Sequence, residues 1–373
     1  MESMRILSCV ERRYYGDPVA VNPNFYNFVQ VPRRMGHQTL WFDHIEQARL
    51  DQQMMNDTFL ALVRGGNFDV VFIETGHDEF FPDVLDEAKR IVVTVAFNAD
   101  DDFRWLDFSS HWYSHYSFMI TTYRHIYEFA KPDHPNLLLS QWACNALYDG
   151  LSATQDIPFS FVGGIHADRV RRFEELNRQV RLDVYGHGTQ TAQATWTNLF
   201  RIFVYRLRGG KGNKAVFRNW MLQRLRGVPD SVTYEQANVL WGRTKISFTP
   251  LNLNHAQFEK KLAMARAFGK AGGEPGISPW TTPMQIKSRV FEMGLSGTLM
   301  LCDRNAMMDE HYERGKEYED FESLAECVDK VKFYLKDEPA RQRLTQAYAA
   351  RTRRAHLWEH RFRDLFAQIG LKV

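Results

Sequence analysis

The sequence predicts an α/β fold made of two doubly wound units that follow one another in the chain. Short apolar runs bounded by polar or turn residues alternate with longer segments of helical periodicity, which is typical of parallel β-α-β architecture. This alternation occurs twice, on either side of a polar, turn-rich stretch at residues 148–158. A chain of 373 residues is also long enough for two domains of ordinary size.

The apolar runs predict five strands in the first half and four in the second. Those of the first half lie at residues 6–10, 38–42, 69–73, 91–97 and 118–122. Those of the second half lie at residues 159–162, 182–185, 245–248 and 298–302. Helical patterns separate them, for example at 51–64 and 82–89, and residues 323–366 are helical throughout. We therefore place the boundary between the two domains near residue 150.

Composition and charge exclude several classes of protein. The net charge is only +2, which argues against a dedicated nucleic-acid binder on global charge. The four cysteines show no Cys-x-x-Cys spacing and are expected to be reduced, buried thiols. No secretory signal and no apolar run of about 20 residues is visible. We therefore expect a soluble, cytoplasmic protein without a transmembrane segment.

A basic, aromatic segment interrupts the second half. Residues 201–226 contain eight Lys or Arg and no acidic residue, interleaved with aromatic side chains that include Trp220. One interpretation is a solvated charged face. The other is an amphipathic surface that contacts an anionic membrane or another polyanion.

In a doubly wound sheet, ligands bind beyond the carboxyl ends of the strands. In the first half, the loops at these ends are Glu74-Thr75-Gly76-His77-Asp78-Glu79 and Asn98-Ala99-Asp100-Asp101-Asp102-Phe103-Arg104-Trp105. Three adjacent carboxylates are costly to crowd together unless cations, donors or water satisfy them. They predict either a solvated helix N-cap or a general base and hydroxyl clamp, supported by His77 from the neighbouring loop.

In the second half, the loops at the strand ends carry glycines and cations. Gly163 and Gly164 follow one strand, with Arg169 shortly after, and Tyr185-Gly186 ends the next. Glycines allow a backbone to approach a phosphate closely, and arginine adds charge. We expect Lys245 to join them from the following strand.

The most specific segment runs from Lys287 to Gly297. A helix start with Arg289 suits a diphosphate, and the carboxylate of Glu292 suits the two hydroxyls of a ribose. Ser296 and Gly297 close the segment, and Gly297 permits close packing of the helix end onto the next strand.

These segments together resemble the CgeB-like glycosyltransferases, a branch of the GT-B superfamily named after a spore maturation protein. The matching pieces are Phe161-Val162-Gly163-Gly164 with Arg169, Val184-Tyr185-Gly186, Lys245-Ile246-Ser247-Phe248, Arg289-Val290-Phe291-Glu292 with Gly297, Glu310 through Glu317, Trp358-Glu359-His360-Arg361 and, in the first half, Asp100-Asp101-Asp102-Phe103-Arg104 and Ser140-Gln141-Trp142. Their order and spacing make the match specific.

The resemblance implies two Rossmann-like domains that face each other across a cleft. Residues 1–150 would form the acceptor domain, and residues 151–355 would form the nucleotide-sugar domain, with the basic segment as an insertion at 196–229. Residues 356–373 would form a helix that crosses back to the first domain. Glu292 lies where related retaining enzymes place the second of two glutamates spaced eight apart, but Met284 occupies the first position.

The resemblance also assigns roles to the residues. The donor is a nucleotide-diphosphate sugar, UDP- or GDP-linked, held by residues of the second domain: Gly163, Gly164, Arg169, Tyr185, Gly186, Lys245, Arg289, Glu292, Ser296 and Gly297. The residues themselves predict Asp101 as the catalytic base if transfer inverts the anomeric centre, with Asp100 and His77 beside it; with retention, these carboxylates would position the acceptor. Asp102, Arg104 and Trp220 are assigned to acceptor or surface contact. No metal site and no further cofactor is expected.

The predicted function is therefore sugar transfer to an acceptor hydroxyl of a saccharide, a lipid-linked molecule or a protein. Alternatives are transfer to modified nucleic-acid bases, a nucleotide-sugar epimerase, and a non-catalytic protein of the same fold that binds a polyanion. The sequence leaves the acceptor, the stereochemistry and the donor base open.

Overall fold

The structure, a computed structural model, describes residues 3–13, 21–149, 154–165, 167–186, 232–272 and 278–371. The chain divides into two compact units. The first comprises Met1–Asn145, Ala256–Thr282 and Ala355–Val373, and the second comprises Ala146–His255 and Pro283–Arg354. Residues 256–282, which the sequence assigned to the second domain, thus belong to the first unit. The basic segment 196–229, with Trp220, lies outside the described residues.

The first unit contains a six-stranded parallel sheet in the order β2-β1-β3-β4-β5-β6. The strands are β1 Arg5–Cys9, β2 Gln38–Phe42, β3 Val70–Glu74, β4 Val93–Asn98, β5 Phe118–Thr121 and β6 Leu137–Leu139. All of them run in one direction, so the residues that follow Cys9, Phe42, Glu74 and Asn98 meet at one edge. The fold class predicted for this half is confirmed.

The second unit contains a five-stranded parallel sheet in the order β11-β10-β9-β7-β8. Its strands are β7 Ile157–Val162, β8 Asp183–Tyr185, β9 Thr244–Thr249, β10 Leu299–Asp303 and β11 Glu319–Phe321. Their carboxyl ends are therefore Val162, Tyr185, Thr249, Asp303 and Phe321.

Helices connect the strands of both sheets. In chain order, the helical segments are Pro23–Phe25, Tyr26–Gln30, Val31–Arg34, His44–Leu50, Gln52–Gly65, Pro82–Ile91, Asp101–Arg104, Trp105–Ser109, Ser110–Trp112, Tyr113–His115, Arg124–Ala130, Ala146–Tyr148, Ala167–Asn177, Tyr234–Arg243, His255–Ala267, Arg289–Glu292, Met293–Leu295, Ala306–Glu310, Leu324–Lys336, Glu338–Ala355 and Trp358–Gln368. Of the described helices, none is long and apolar enough to cross a membrane.

Local sequence explains where several of these helices begin. Asp43 accepts a hydrogen bond from the Glu46 amide (3.0 Å), and Asp51 accepts one from the Met54 amide (2.9 Å), so each caps the helix that follows it. Thr233 and Gln236 form a reciprocal capping box at the start of Tyr234–Arg243.

Each unit has its own aromatic core. In the first unit, the ring centroid of Phe28 lies 4.9 Å from those of Phe72 and Trp358, so the last helix packs onto residues of the first sheet. In the second unit, Phe173 packs between Phe161 at 4.8 Å and Phe248 at 6.1 Å. Both sheets are therefore fixed by buried side chains, and their carboxyl edges are firmly positioned.

Candidate active site

A polar pocket lies at the carboxyl edge of the first sheet. It is lined by Glu74, Thr75, Phe97, Asn98, Ala99, Asp100, Asp101, Arg104, Phe108, Ser109 and Trp142. Glu74 and Asn98 are the last residues of β3 and β4, and Asp101 begins the short helix Asp101–Arg104. The pocket therefore forms where the parallel-sheet rule places a ligand site.

Asp101 is completely buried, with 0% of its surface exposed, which excludes the solvated N-cap as its environment. Its carboxylate accepts a hydrogen bond from the Ser109 hydroxyl. Burial raises the pKa of Asp101 to about 7, although hydrogen bonds from Ser109 and Thr121 and the charge of Arg104 lower it in part. A carboxyl group that titrates near neutral pH can take up a proton from a hydroxyl group and release it again.

Glu74 is a site residue that the sequence reasoning did not select. Burial, with help from the charges of Glu11 and Asp43, raises the pKa of Glu74 to about 8, so its carboxyl group is mostly protonated at neutral pH. Its Oε1 accepts a hydrogen bond from the Asn24 amide. The sequence did carry one indication of Glu74 as a site residue, because it is an acidic residue at the end of an apolar strand.

Asp102 is as deeply buried as Asp101 but has different partners and an opposite pKa shift. The sequence assigned it to acceptor or surface contact, but both Asp102 and Lys261 have no exposed surface, and Lys261 Nζ lies 2.9 Å from Asp102 Oδ2. His125 Nε2 lies 3.2 Å from the other carboxylate oxygen. Burial alone would raise the pKa of Asp102, but Lys261 and His125 hold it below its ordinary value. Asp102 is thus a buried, ionised anchor.

The remaining predicted residues of this unit lie in or beside the pocket. Arg104 donates from Nη2 to the Gly76 carbonyl oxygen at 2.8 Å, and its guanidinium lies 4.1 Å from the ring centroid of Phe108. Asp100 lines the pocket, but its side chain does not cap the helix. His77 is exposed and is not part of the pocket lining.

In the second unit, two glycines bring an arginine against the end of β7. Gly163 (φ +144°) and Gly186 (φ +139°) both have positive φ. A Cβ at Gly186 would lie 1.9 Å from the Gly163 carbonyl oxygen, and a Cβ at Gly163 would lie 2.7 Å from Arg289 Nη2. Arg289 also donates to the Val162 carbonyl oxygen at 3.2 Å. The glycines thus allow the β7 loop, the β8 loop and Arg289 to pack together.

Three other predicted donor residues belong to this same loop cluster. The Tyr185 carbonyl oxygen accepts a hydrogen bond from the Gly163 amide at 2.9 Å, so that amide already has a partner. Arg169 is only 4% exposed and donates to the Gly164 carbonyl oxygen at 2.6 Å. Arg169 therefore contacts the backbone of the glycine loop.

Glu292 lies one helical turn beyond Arg289. Burial raises the pKa of Glu292 to about 7, while Arg289 and the Ser288 hydroxyl lower it in part. Met284, eight residues earlier, forms an isolated antiparallel bridge with Asn252. A thioether, not a carboxylate, therefore stands eight residues before Glu292.

Lys245, Ser296 and Gly297 lie at the other end of the second sheet. Lys245 is the second residue of β9, four residues before its carboxyl end at Thr249, or ~13 Å at about 3.3 Å per residue. Ser296 and Gly297 precede β10, and Gln155 Nε2, just before β7, donates to the Gly297 carbonyl oxygen at 2.9 Å. The expectation that Lys245 converges with Arg289 is wrong, because the first residues of parallel strands lie at the amino edge of the sheet. Ser296 and Gly297, which were predicted to bind the donor, lie at that same amino edge.

Within the described part of the chain, no group of three or more His, Cys, Asp or Glu side chains could hold a metal ion.

The expected donor residues that do meet are Gly163, Gly164, Arg169, Tyr185, Gly186, Arg289 and Glu292.

Comparison with known proteins gave one family match and several structural matches. The glycosyl transferase-like family matches residues 169–367, which is more than half of the chain. No curated protein matches the sequence.

The structural matches cover nearly the whole chain at low sequence identity. HepE of Anabaena in complex with UDP and glucose matches 98% of this chain and 99% of its own, with a TM-score of 0.55 and 8% identity. An α-glucosyltransferase in complex with UDP-glucose and DNA containing an abasic site matches 99% and 100%, with a TM-score of 0.60 and 10% identity. Sucrose-phosphate synthase from Thermosynechococcus elongatus matches 98% and 99%, with a TM-score of 0.55 and 10% identity. The fold is therefore GT-B-like, as predicted.

Proposed function

Because the chain belongs to the glycosyl transferase-like family, we propose that it transfers a sugar from a UDP- or GDP-linked donor to a hydroxyl group of an acceptor. The second unit binds the donor through the loops at the carboxyl edge of its sheet. The first unit supplies the residues that bind and activate the acceptor.

The packing of Arg289 against Gly163 at the end of β7 carries this proposal. The guanidinium lies so close to the glycine that a Cβ there would sit 2.7 Å from Nη2. Arginine binds phosphate oxygens through charge-assisted hydrogen bonds, each worth about 1.5–3 kcal/mol. Arg289 therefore contacts the diphosphate and stabilises the negative charge that develops on it when the sugar leaves. This charge takes the place that a metal ion has in other transferases.

Glu292 has a separate role in binding the nucleoside. One carboxylate can accept hydrogen bonds from both hydroxyls of a ribose. Two of the structurally similar proteins were determined with UDP or UDP-glucose, which favours UDP over GDP as the leaving group.

Asp101 acts as the base that takes the proton from the acceptor hydroxyl. Its raised pKa, about 7, suits proton transfer near neutral pH. Inversion of the anomeric centre requires such a base, whereas Met284 supplies no carboxylate at the position that retaining relatives use. The order and spacing of the matched segments favour the CgeB-like branch of the family. Membrane or polyanion contact through residues 201–226 stays a prediction.

Calorimetric titration with UDP, GDP, ADP and CMP tests the donor site. We expect one nucleotide to bind saturably, and Arg289→Ala and Glu292→Ala to weaken it at least 10-fold each, since charge-assisted contacts are worth about 1.5–3 kcal/mol. Lys245→Ala is the matched control, because it removes a partly buried cation from the amino edge of the same sheet.

Two results would contradict the proposal. One is the absence of binding by all four nucleotides. The other is equal weakening by Lys245→Ala and Arg289→Ala, which would indicate a general charge effect. Binding that persists unchanged in EDTA is expected if Arg289 supplies the charge.

A further inference from the structure

Apart from Asp101, the proposed base, two buried polar groups in the pocket of the first unit have an atom without a hydrogen-bond partner among the described residues. One is the amide of Asn98, which is only 2% exposed and whose Nδ2 is unpaired. The other is the carboxyl group of Glu74, whose Oε2 is unpaired. Both side chains line the pocket. A buried polar atom left without a partner costs about 1–3 kcal/mol, so these two atoms indicate a ligand.

Neighbouring side chains fix the orientation of both groups. The Thr75 hydroxyl donates to Asn98 Oδ1, which leaves the amide nitrogen as the free atom. The Asn24 amide donates to Glu74 Oε1, which leaves Oε2. The pocket therefore presents an N–H donor and a carboxyl oxygen that are held in place before a ligand arrives.

This set of groups matches the hydroxyls of a sugar. A hydroxyl both donates and accepts a hydrogen bond, so it can accept from Asn98 Nδ2 and donate to a carboxyl oxygen. The rings of Phe97, Phe108 and Trp142 line the same pocket and offer an apolar face for the C–H bonds of a pyranose.

The charges of the pocket disfavour an anionic ligand. Asp100, Asp101 and Glu74 bring three carboxyl groups to the lining, against one cation, Arg104. The guanidinium of Arg104 is already engaged by the Gly76 carbonyl oxygen and the Phe108 ring. A phosphate or a nucleic-acid backbone would meet no unengaged cation in this lining, and above about pH 7 it would face the ionised carboxylate of Asp101.

We propose that this pocket binds a neutral pyranose ring of the acceptor, with its hydroxyls between Asn98 and Glu74. This inference rests on the proposed function in one respect, which is that the bound ring is the one that receives the sugar. It names a neutral saccharide as the acceptor class and excludes nucleic acid.

Saturation-transfer NMR on the full chain, with and without UDP, tests the inference. The probes are methyl α- and β-glycosides of glucose, galactose, mannose and N-acetylglucosamine, with glucose 6-phosphate and a short DNA duplex as anionic competitors. We expect at least one neutral glycoside to bind. Asn98→Ala should weaken it about 5- to 10-fold, the loss of one well-placed hydrogen bond. Gln53→Ala, which removes an exposed amide of the same unit, should change nothing.

Glu74 gives a second, independent test in case Asn98→Ala fails to fold, as judged by circular dichroism. Glu74→Gln keeps a polar group that can donate and accept, so it should bind the glycoside within 3-fold of the wild type, whereas Glu74→Ala should lose about 5- to 10-fold. Equal binding by wild type, Asn98→Ala and Glu74→Ala would overturn the inference.

Two further results would overturn it: no neutral glycoside binds to protein that binds UDP, or glucose 6-phosphate or DNA displaces the glycoside from this pocket. A protein that binds the glycoside through Asn98 but binds no nucleotide would instead contradict the proposed donor site alone. The two failures are therefore distinguishable.

Discussion

Asp101 and Asp102 are adjacent in the chain and have opposite electrostatic environments. Successive residues of a helix point about 100° apart, so only one of the two can face the pocket. Asp101 lines the pocket, and burial raises its pKa to about 7. Asp102 points instead to Lys261 and His125, which hold its pKa below the ordinary value. One carboxyl can therefore exchange protons near neutral pH while the other remains ionised.

Asp101→Asn should abolish most of the activity and stabilise the protein at alkaline pH. A general base contributes about 10²–10⁴-fold to the rate. In the wild type, kcat/KM should rise with pH through about 7, because Asp101 must be deprotonated to act. The folded state holds this proton up to about pH 7, whereas the unfolded chain loses it near the ordinary value, so this group's contribution to stability falls as pH rises between the two. Asparagine has no carboxyl group to deprotonate, so the Asp101→Asn variant does not lose this stability as the pH rises.

The measurement is acceptor-dependent UDP release and urea unfolding, each from about pH 5 to about pH 9. A variant that loses activity and is also less stable at alkaline pH would contradict the assignment, since it would indicate a structural role.

At the scale of single residues, the sequence selected Asp101 and Arg289 as candidates because each follows a recognisable strand or begins a recognisable helix, and their roles stay predictions. It did not identify Glu74, because a carboxyl that ends a strand acquires its high pKa only from burial and from the nearby charges of Glu11 and Asp43, which are distant in the chain. The sequence located the strand of Lys245 correctly. Lys245 lies near the amino end of that strand, however, and therefore cannot join the residues at its carboxyl end.

The second-unit loops depend on a pair of glycines, and each has a distinct steric reason. Gly186 makes room for the Gly163 carbonyl oxygen, and Gly163 makes room for Arg289. The position of Arg289 therefore depends on both glycines. Gly186 acts indirectly, because it makes room for Gly163, which in turn lies against Arg289.

Gly186→Ala should destabilise the second unit and weaken nucleotide binding. The new Cβ would lie 1.9 Å from a backbone oxygen, which no side-chain movement can relieve. Gly315→Ala is the matched control, since Gly315 also has positive φ (+71°) but has no atom within 4 Å of the added Cβ. It should cost only the backbone strain, about 1–2 kcal/mol. Thermal unfolding and nucleotide titration of both variants check this. Equal effects would show that the contact with Gly163 is unimportant.

The segment 256–282 is anchored in the first unit by charge and by aromatic packing. Lys261 pairs with Asp102 without any exposed surface. The ring centroid of Trp280 lies 4.8 Å from that of His125, and that of Phe268 lies 4.4 Å from that of Phe129. The chain returns to the second unit at Pro283, shortly before Arg289 of the proposed donor site.

Lys261→Met should destabilise the first unit by about 3–5 kcal/mol, because it removes the buried lysine cation from Asp102 and leaves that carboxylate with His125. Adding Asp102→Asn should recover part of the loss, since the uncompensated charge is then removed. Lys260→Met provides the control: its pair with Asp107 is exposed (2.7 Å) and should be worth less than about 1 kcal/mol. Urea unfolding of the wild type, Lys261→Met, Asp102→Asn and the double variant measures the coupling energy between Lys261 and Asp102. Lys260→Met is measured beside them. Equal losses from Lys260→Met and Lys261→Met would contradict the role of the buried pair.

At the scale of elements, periodicity located β1 to β5 and β7 to β10 to within a few residues. It missed β6 and β11, which have three residues each; β8 is equally short, but the apolar Leu182 before it lengthens its pattern to four residues. The attachment of 256–282 to the first unit was also missed, since it depends on a contact between residues 159 positions apart.

At the scale of the whole molecule, the two units are discontinuous in sequence. The chain passes from one unit to the other after Asn145, His255, Thr282 and Arg354. The sequence predicted the two sheets, because each is built from consecutive β-α repeats that carry their own pattern. It could not predict which later segments complete the first unit, because their apolar faces look alike until their partners are known.

The core of the first unit depends on the last helix, whereas we assign nucleotide binding to the second unit. The stability of the first unit should therefore be separable from nucleotide binding. Trp358 is 2% exposed and packs against Phe28, Phe97, Trp142 and Phe362. Trp358→Ala should therefore cost the first unit about 3–5 kcal/mol, while UDP affinity changes little, because the proposed donor residues all lie in the second unit. Phe333→Ala, at an exposed position of the second unit, should change stability by about 0.5 kcal/mol or less.

Thermal unfolding followed with and without UDP distinguishes these effects, since a ligand at 100 times its Kd stabilises the unit that binds it by about 2.7 kcal/mol. Loss of UDP binding in folded Trp358→Ala would show that the donor site needs the first unit.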